Sequence, residues 1–295
     1  MLTYKFIVNP ASSRGKGSIT GKWLEKECEN RNLDFDLQYT NSPGHATEIA
    51  SKSVKDFEYI IAVGGDGTLQ EVMNGLFGYD TKIGIIPVGT GNDFVRAANI
   101  PIKPTEALDI IIDGKLKQID VGKVGDRIFH NGVGIGFDAW VVNESLKIKK
   151  LRGHLIYFYA ILKTLKNYRA PFMEINYHEK SISQKLFLVT VANGTSLGGG
   201  IKLTPFAQLD DGLLDLNIIQ DVNKLKILQN LMKAYSGEHV NMPEVTVDTC
   251  KSIAIKSDDG LAVHADGELI SCNLKEIEIK IIPKAIKFIV PESFK

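Results

Sequence analysis

Two apolar runs, Tyr59-Ile60-Ile61-Ala62-Val63 and Ile83-Gly84-Ile85-Ile86-Pro87-Val88, each give way at once to a glycine-rich loop. A strand without a polar face must be covered on both sides, the condition of a parallel sheet wrapped by helices. The first run is followed by Leu69, Val72, Met73, Leu76 and Phe77, which share one helical face. The surrounding chain keeps the same rhythm. Phe6-Ile7-Val8 reads as a strand ending at Asn9-Pro10, a helix passes through Trp23 and Leu24, and Phe35 to Tyr39 alternates as a strand. Ser42-Pro43 offers an N-cap and first-turn pair for the next helix, and Thr105 to Ile112 reads as another. Repeated strand–helix alternation predicts a three-layer α/β domain with a parallel sheet.

From about Val121 the pattern turns mostly β. Short runs at Leu186 to Val191, Leu213 to Ile219, Val245 to Val247, Ile253 to Ile255, Leu261 to His264, Ile277 to Ile282 and Ile286 to Val290 read as strands. Asp211-Gly212, Asp259-Gly260 and Asp266-Gly267 are hairpin signals between them. One helical insertion interrupts, roughly Asn143 to Tyr168. The expected architecture is an α/β domain over residues 1–122 and an all-β sandwich domain over 123–284, with the ligand cleft between them.

The loops carry the chemistry. Gly64-Gly65-Asp66-Gly67-Thr68 lies between a buried strand and an amphipathic helix, where backbone N–H groups can approach phosphate oxygens. Asp66 repels phosphate unless a divalent cation or a proton transfer stands between them. The bland reading of the same residues is a tight turn with a capping box from Thr68 to Glu71. Gly89-Thr90-Gly91-Asn92-Asp93-Phe94 has the same placement, and Asn9-Pro10-Ala11-Ser12-Ser13-Arg14-Gly15-Lys16 follows the first strand. Parallel strands bring such loops to one edge, where α/β sheets bind ligands. No GxxxxGK[ST] occurs, and no GxGxxG follows the first strand. Gly132, Gly134 and Gly136 imitate a dinucleotide loop but lack a helix-opening context, and read as structural.

Charge and cysteine usage narrow the class. Lys plus Arg and Asp plus Glu are both 35, so bulk charge does not point to nucleic acid. Cys28, Cys250 and Cys272 are scattered and odd in number, which argues against a disulfide scaffold and for a reducing compartment. The start of the chain lacks a signal-peptide pattern, and no apolar run approaches the roughly 18 residues of a membrane span. A cytoplasmic protein is expected. Locally the charge is uneven. Residues 143–169 carry seven cations (Lys147, Lys149, Lys150, Arg152, Lys163, Lys166, Arg169) against Glu144, interleaved with apolar and aromatic side chains. Such a segment suits transient contact with anionic lipid headgroups, or a helix packed on the β domain with a solvated basic face. Oligomeric state is not encoded in any motif, and a homodimer is among the states allowed.

In order, Asn9-Pro10 with its Ser- and Gly-rich turn, Gly64-Gly65-Asp66-Gly67-Thr68-Leu69, Gly89-Thr90-Gly91-Asn92-Asp93-Phe94 and Asp266-Gly267-Glu268 resemble the diacylglycerol kinase catalytic-domain family, and in particular soluble bacterial lipid kinases related to sphingosine and ceramide kinases. The resemblance spans nearly the whole chain. It implies a nucleotide-binding α/β domain and a β-sandwich lipid-binding domain, with residues 285–295 returning to the first. It implies ATP on Asn9, Pro10, Ala11, Ser12, Ser13, Thr40, Gly65, Asp66, Gly67, Thr68, Leu69, Gln70, Glu71, Thr90 and Asn92. Asp66 and Asp93 would lie near a catalytic Mg²⁺, and Gln208, Asp211 and Leu213 would hold a structural Mg²⁺ in the β domain. Glu268 matches the position usually given the catalytic base, with Asp266 a competitor. The implied activity is ATP-dependent phosphorylation of diacylglycerol or a similar lipid alcohol, at the membrane periphery. GGDGT alone is shared with NAD kinases, so NAD phosphorylation is an alternative, as is a catalytically weak nucleotide-binding regulator.

Overall fold

The computed structural model describes residues 2–148 and 154–294. Lys149, Lys150 and Arg152 of the basic segment lie outside the described residues. The chain divides into two compact units, Met1–Val121 with Pro283–Lys295, and Gly122–Ile282.

The first unit begins with β1 (Leu2–Val8), α1 (Lys16–Asn30), β2 (Phe35–Tyr39), α2 (His45–Ser53), β3 (Phe57–Gly64), α3 (Asp66–Leu76), β4 (Lys82–Pro87), α4 (Asp93–Ala97) and α5 (Pro104–Asp113). Its strands pair in parallel, β2 with β1, β1 with β3 and β3 with β4. Residues 60–63, the heart of the first apolar run, are fully buried. Phe6, Val8, Leu24, Ile61, Val63, Ile86, Leu108 and Ile111 form one core, as expected when helices cover a sheet with no polar face. Lys287 and Phe288, near the end of the chain, pair in parallel with Lys82 and Ile83 and so extend this sheet.

The remaining elements are β5 (Lys115–Val124), β6 (Arg127–Phe129), β7 (Gly132–Gly136), α6 (Phe137–Ser145), α7 (His154–Asn167), β8 (Phe172–Tyr177), β9 (Lys180–Ala192), β10 (Leu214–Gln220), α8 (Lys224–Ser236), β11 (Val245–Cys250), β12 (Ser252–Ala265) and β13 (Glu268–Val290). In the second unit β9 lies antiparallel between β10 and β7, and β12 pairs antiparallel with β7, β8 and β13. Val133, Ile135, Val189, Val191, Leu216, Ile255, Val263 and Ile279 fill its core.

Four expectations need correction. The second helix starts at His45 after Gly44 in the left-handed conformation (φ 83°), not at Ser42-Pro43. Its cap comes from elsewhere, because Glu71 Oε2 accepts the Ala46 N–H at 3.0 Å. The Thr68–Glu71 capping box is correspondingly absent, and Gly65 caps α3 without a side-chain bond. Asp259-Gly260 is no hairpin: it sits within β12, where the register against β13 shifts between Lys256 and Leu261. Asp211-Gly212 precedes β10, and Asp211 Oδ1 accepts the Leu213 N–H at 3.0 Å in a local Asx turn. Only Asp266-Gly267 joins adjacent paired residues, Ala265 opposite Glu268, with φ of 48° and 82° as a type I′ turn needs.

A further helix, α8, is absent from the sequence reading, although Leu225, Ile227, Leu228, Leu231 and Met232 keep helical spacing along it. Its ends carried the missed signal. Asn223 Oδ1 accepts the Leu225 N–H at 2.9 Å, and Gly237 follows in the left-handed conformation.

Candidate active site

Three loops of the first unit interlock. Asn9 donates from Nδ2 to Thr68 Oγ1 at 3.1 Å, and its Oδ1 accepts the Ala11 N–H at 3.0 Å. Ser13 Oγ and Thr90 Oγ1 lie 3.3 Å apart. The second and third loops touch backbone to backbone: a Cβ on Gly89 would stand 2.5 Å from Gly65 Cα, and one on Gly65 2.9 Å from Gly89 Cα. No side chain fits there, so these two glycines are required by approach rather than by dihedral angle. Thr40 follows β2, its N–H bonded to Val8 O at 2.8 Å. Asn9 to Ser13, Thr40, the start of α3 and Thr90 therefore gather at the carboxyl ends of parallel strands, where such sheets bind ligands.

The carboxylates of this edge have structural partners that the sequence reading did not foresee. Asp66 Oδ1 accepts the Phe94 N–H at 3.1 Å and so caps α4. Asp93 is buried and accepts from Arg96 Nη1 at 3.2 Å. Asn92, in the left-handed conformation, donates from Nδ2 to Gly89 O at 2.9 Å, while its buried Oδ1 has no hydrogen-bond partner. Leu69 and Gln70 are buried on α3, and Glu71 caps α2.

In the second unit, the two base candidates of the β12–β13 turn differ sharply. The Asp266 side chain is inaccessible to solvent and sits 2.8 Å from His130 Nδ1. Its oxygens accept the N–H groups of His130, Asn131 and Gly132, each at 2.9 Å. Burial alone would raise its pKa, but the His130 charge and these donors outweigh it and hold the carboxyl below its ordinary value. A group so enclosed anchors the turn. Glu268 is half-exposed and paired with Arg127. It is the accessible carboxylate of the motif.

Nearby, His264 Nδ1 accepts the Gly267 N–H at 3.2 Å, which leaves Nε2 to donate to Asp138 Oδ2 at 3.3 Å. Asp138 opens α6 and borders an apolar cavity of about 140 Å³. Phe137, Val141, Ile161, Phe187, Leu188, Ile219, Ile227 and Leu231 form much of its wall. Neither Asp138 nor this cavity was anticipated, because its lining comes from residues far apart in the chain, from Phe137 to Val245.

Gln208, Asp211 and Leu213 lie in the loop before β10. Burial, and then the Asp211 charge, push the Asp215 carboxyl up to about 7. Two carboxyls that repel each other fit a divalent cation, which would offset their repulsion. No cluster of three His, Cys, Asp or Glu able to hold a metal occurs among the described residues. The thiols of Cys28 and Cys250 are buried, which pushes them up to about 11 and about 12 and leaves them unreactive.

Residues 3–124 match the diacylglycerol kinase catalytic domain, and residues 131–290 match the YegS C-terminal NAD kinase beta sandwich-like domain. The chain belongs to the diacylglycerol kinase family. A Bacillus subtilis (strain 168) diacylglycerol kinase is 34% identical over 274 residues, covering 90% of this chain and 89% of its own length. A Mycobacterium tuberculosis (strain ATCC 25618 / H37Rv) diacylglycerol kinase is 30% identical, with 97% and 94% covered. The crystal structure of a candidate diacylglycerol kinase from Bacillus anthracis str. Sterne superposes with a TM-score of 0.81 at 26% identity, covering 99% of this chain and 98% of that one. This diacylglycerol kinase family member is accordingly an enzyme of the kinase class, built as an α/β unit followed by a β-rich unit. No described helix is long and apolar enough to cross a membrane.

Proposed function

We propose that the protein transfers the γ-phosphoryl group of ATP to the hydroxyl of diacylglycerol or a similar lipid alcohol. The observation that carries this reading is the apolar cavity of the second unit, whose aliphatic and aromatic wall suits acyl chains and offers nothing to the phosphates of a dinucleotide. The names of the relatives at 30–34% identity point the same way.

ATP is assigned to the loops of the first unit. Phosphoryl transfer asks chiefly for positioning and charge neutralisation. The backbone N–H groups at the start of α3 and the loop held by Asn9, Thr68 and Thr90 would bind the phosphates. Mg²⁺, when bound, supplies charge neutralisation across the phosphate oxygens. Asp66 is the better placed of the two carboxylates to hold it, because Asp93 is buried against Arg96. A second Mg²⁺, held by Asp211 with the carbonyls of Gln208 and Leu213, would have a structural role. Glu268, oriented by Arg127, would accept the proton of the attacking hydroxyl, a contribution of about 10²–10⁴-fold. Asp266 fixes the turn that presents it. Contact with the membrane would be transient and peripheral.

The deciding experiment incubates the protein with labelled ATP and either diacylglycerol or NAD. Label is expected in the lipid and not in NAD. Transfer to NAD alone assigns the protein to the alternative kinase class, and ATP binding without transfer to any acceptor assigns it to a regulatory role. Labelled ATP with a total lipid extract then identifies the physiological acceptor as the species that gains phosphate.

A further inference from the structure

Gly134, in the middle of β7, lies opposite His264 of β12 on one side and Thr190 of β9 on the other. Residues paired across an antiparallel ladder turn their side chains to the same face of the sheet. Gly134 has no side chain, and its space is occupied by its neighbours. A Cβ there would collide with both Asp138 Oδ2 and His264 Nε2. Only glycine lets the carboxylate of α6 reach across β7 to the imidazole of β12. The pair that forms over it is largely enclosed, with 5% of the His264 side chain and 18% of the Asp138 side chain exposed.

Each atom of the pair is committed. Asp138 Oδ1 accepts the Ala139 N–H at 2.9 Å, so Oδ2 is the oxygen that faces His264 Nε2, 3.3 Å away. His264 Nδ1 accepts the Gly267 N–H at 3.2 Å. A neutral imidazole donates at one nitrogen and accepts at the other. A carboxylate facing Nε2 places the proton there and leaves Nδ1 bare, as the Gly267 N–H requires. Gly267 is the left-handed second residue of the turn (φ 82°), and Glu268 comes next. Asp266, just before it, is held by the N–H groups of His130, Asn131 and Gly132. Two separate sets of partners therefore grip two consecutive residues of one turn. An Asp-Gly hairpin closes on its backbone dihedrals alone and needs no buried carboxylate–histidine pair. Burying such a pair costs desolvation, and its only reach beyond α6 and β12 is the amide next to Glu268.

We infer that Asp138 and His264 are a positioning pair for Glu268. Asp138 fixes the imidazole tautomer, the imidazole fixes the Gly267 amide, and the amide sets the direction in which the start of β13 presents the Glu268 carboxylate. The inference deepens the lipid-kinase reading and rests on it for Glu268 as the proton acceptor. In this role both residues act through Glu268.

The test uses the nitrogen that each amide side chain imitates. In the full chain, H264N keeps an acceptor at the place of Nδ1, whereas H264Q keeps a donor at the place of Nε2 and offers Gly267 nothing. With labelled ATP and diacylglycerol, H264N should retain turnover. H264Q should lose on the order of 10²-fold in kcat, with KM for ATP unchanged. D138N should fall in the same way. Its amide oxygen stays with the Ala139 N–H, so its NH₂ faces Nε2 and drives the imidazole proton to Nδ1, against the Gly267 donor. H264N has no tautomer to fix, so adding D138N to it should cost nothing more. In an E268Q background, H264Q should add nothing to the loss in kcat. Hydrogen exchange at the Gly267 amide should quicken in H264Q and D138N but not in H264N. Thermal melting identifies the variants that fold, and D138N, which alters least, carries the comparison if H264Q does not. Full turnover in folded H264Q and D138N would overturn the inference and leave Glu268 as the base. Equal losses in H264N and H264Q, or a further loss from H264Q in the E268Q background, would reduce the pair to a structural contact and overturn it too. Near-native turnover in E268Q itself would instead remove the base assignment, and the positioning role with it.

Discussion

Asp266 and Glu268 sit two residues apart, yet one is sealed under three backbone donors and a histidine and the other stands half-exposed beside an arginine. The two positions should therefore fail differently. Glu268→Gln keeps the shape and should lower kcat by about 10²–10⁴-fold with ATP binding and melting temperature preserved. Asp266→Asn keeps one acceptor oxygen but uncouples His130, and should cost about 3 kcal/mol in a urea titration. Its loss of activity should follow its loss of fold. Equal stability of the two variants would return Asp266 to the list of catalytic groups. The pH dependence has a definite sign. A carboxyl held below its ordinary value when folded stabilises above the unfolded pKa, about 3.9, and that stability drains away as pH falls through the folded value. Asp266→Asn should consequently remove part of the acid sensitivity below about pH 4, measured as the midpoint of urea unfolding against pH.

At the scale of elements, the starts of α2 and α4 are tied to another helix. Asp66, on α3, caps α4, and Glu71, on the same helix, caps α2. The helices around the phosphate-type loops are thus fixed to one another by two carboxylates. Glu71→Ala should cost about 1 kcal/mol through the lost cap, read by denaturant titration. The close approach of Gly65 and Gly89 makes a sharper prediction. Gly89→Ala would place a methyl 2.5 Å from Gly65 Cα and drive the two loops apart. A displacement of this kind misaligns the phosphates, and turnover should fall by on the order of 10²-fold. Retention of full activity would show that the two loops do not hold one ligand. The helix α8 teaches a different lesson about elements. Its apolar residues keep helical spacing, and Asn223 and Gly237 mark its ends, yet it lies in a stretch whose neighbours read as strands.

Over the whole molecule, the raised Asp215 carboxyl and its neighbour Asp211 predict coupling between a cation and the stability of the β-rich unit. Saturating Mg²⁺ should raise the melting temperature by a few degrees at neutral pH, because a ligand at 100 times its Kd adds about 2.7 kcal/mol. Chelation should reverse the gain, and Asp211→Asn should abolish it. What could be read from the chain was what lies close in the chain: apolar runs with no polar face, the glycine loops that end them, the Asp-Gly hairpin at 266–267, and hence the order of an α/β unit before a β-rich one. These follow from periodicity and backbone dihedral preference, which act over a few residues. The sequence by itself did not determine which carboxylate is buried, which helix each acid caps, or that residues from Phe137 to Val245 line one apolar cavity. His130 and Asp266 are 136 residues apart, and Glu71 and Ala46 are 25 apart. Burial and hydrogen-bond partners are properties of the assembled space around a side chain, and only the tertiary structure decided them.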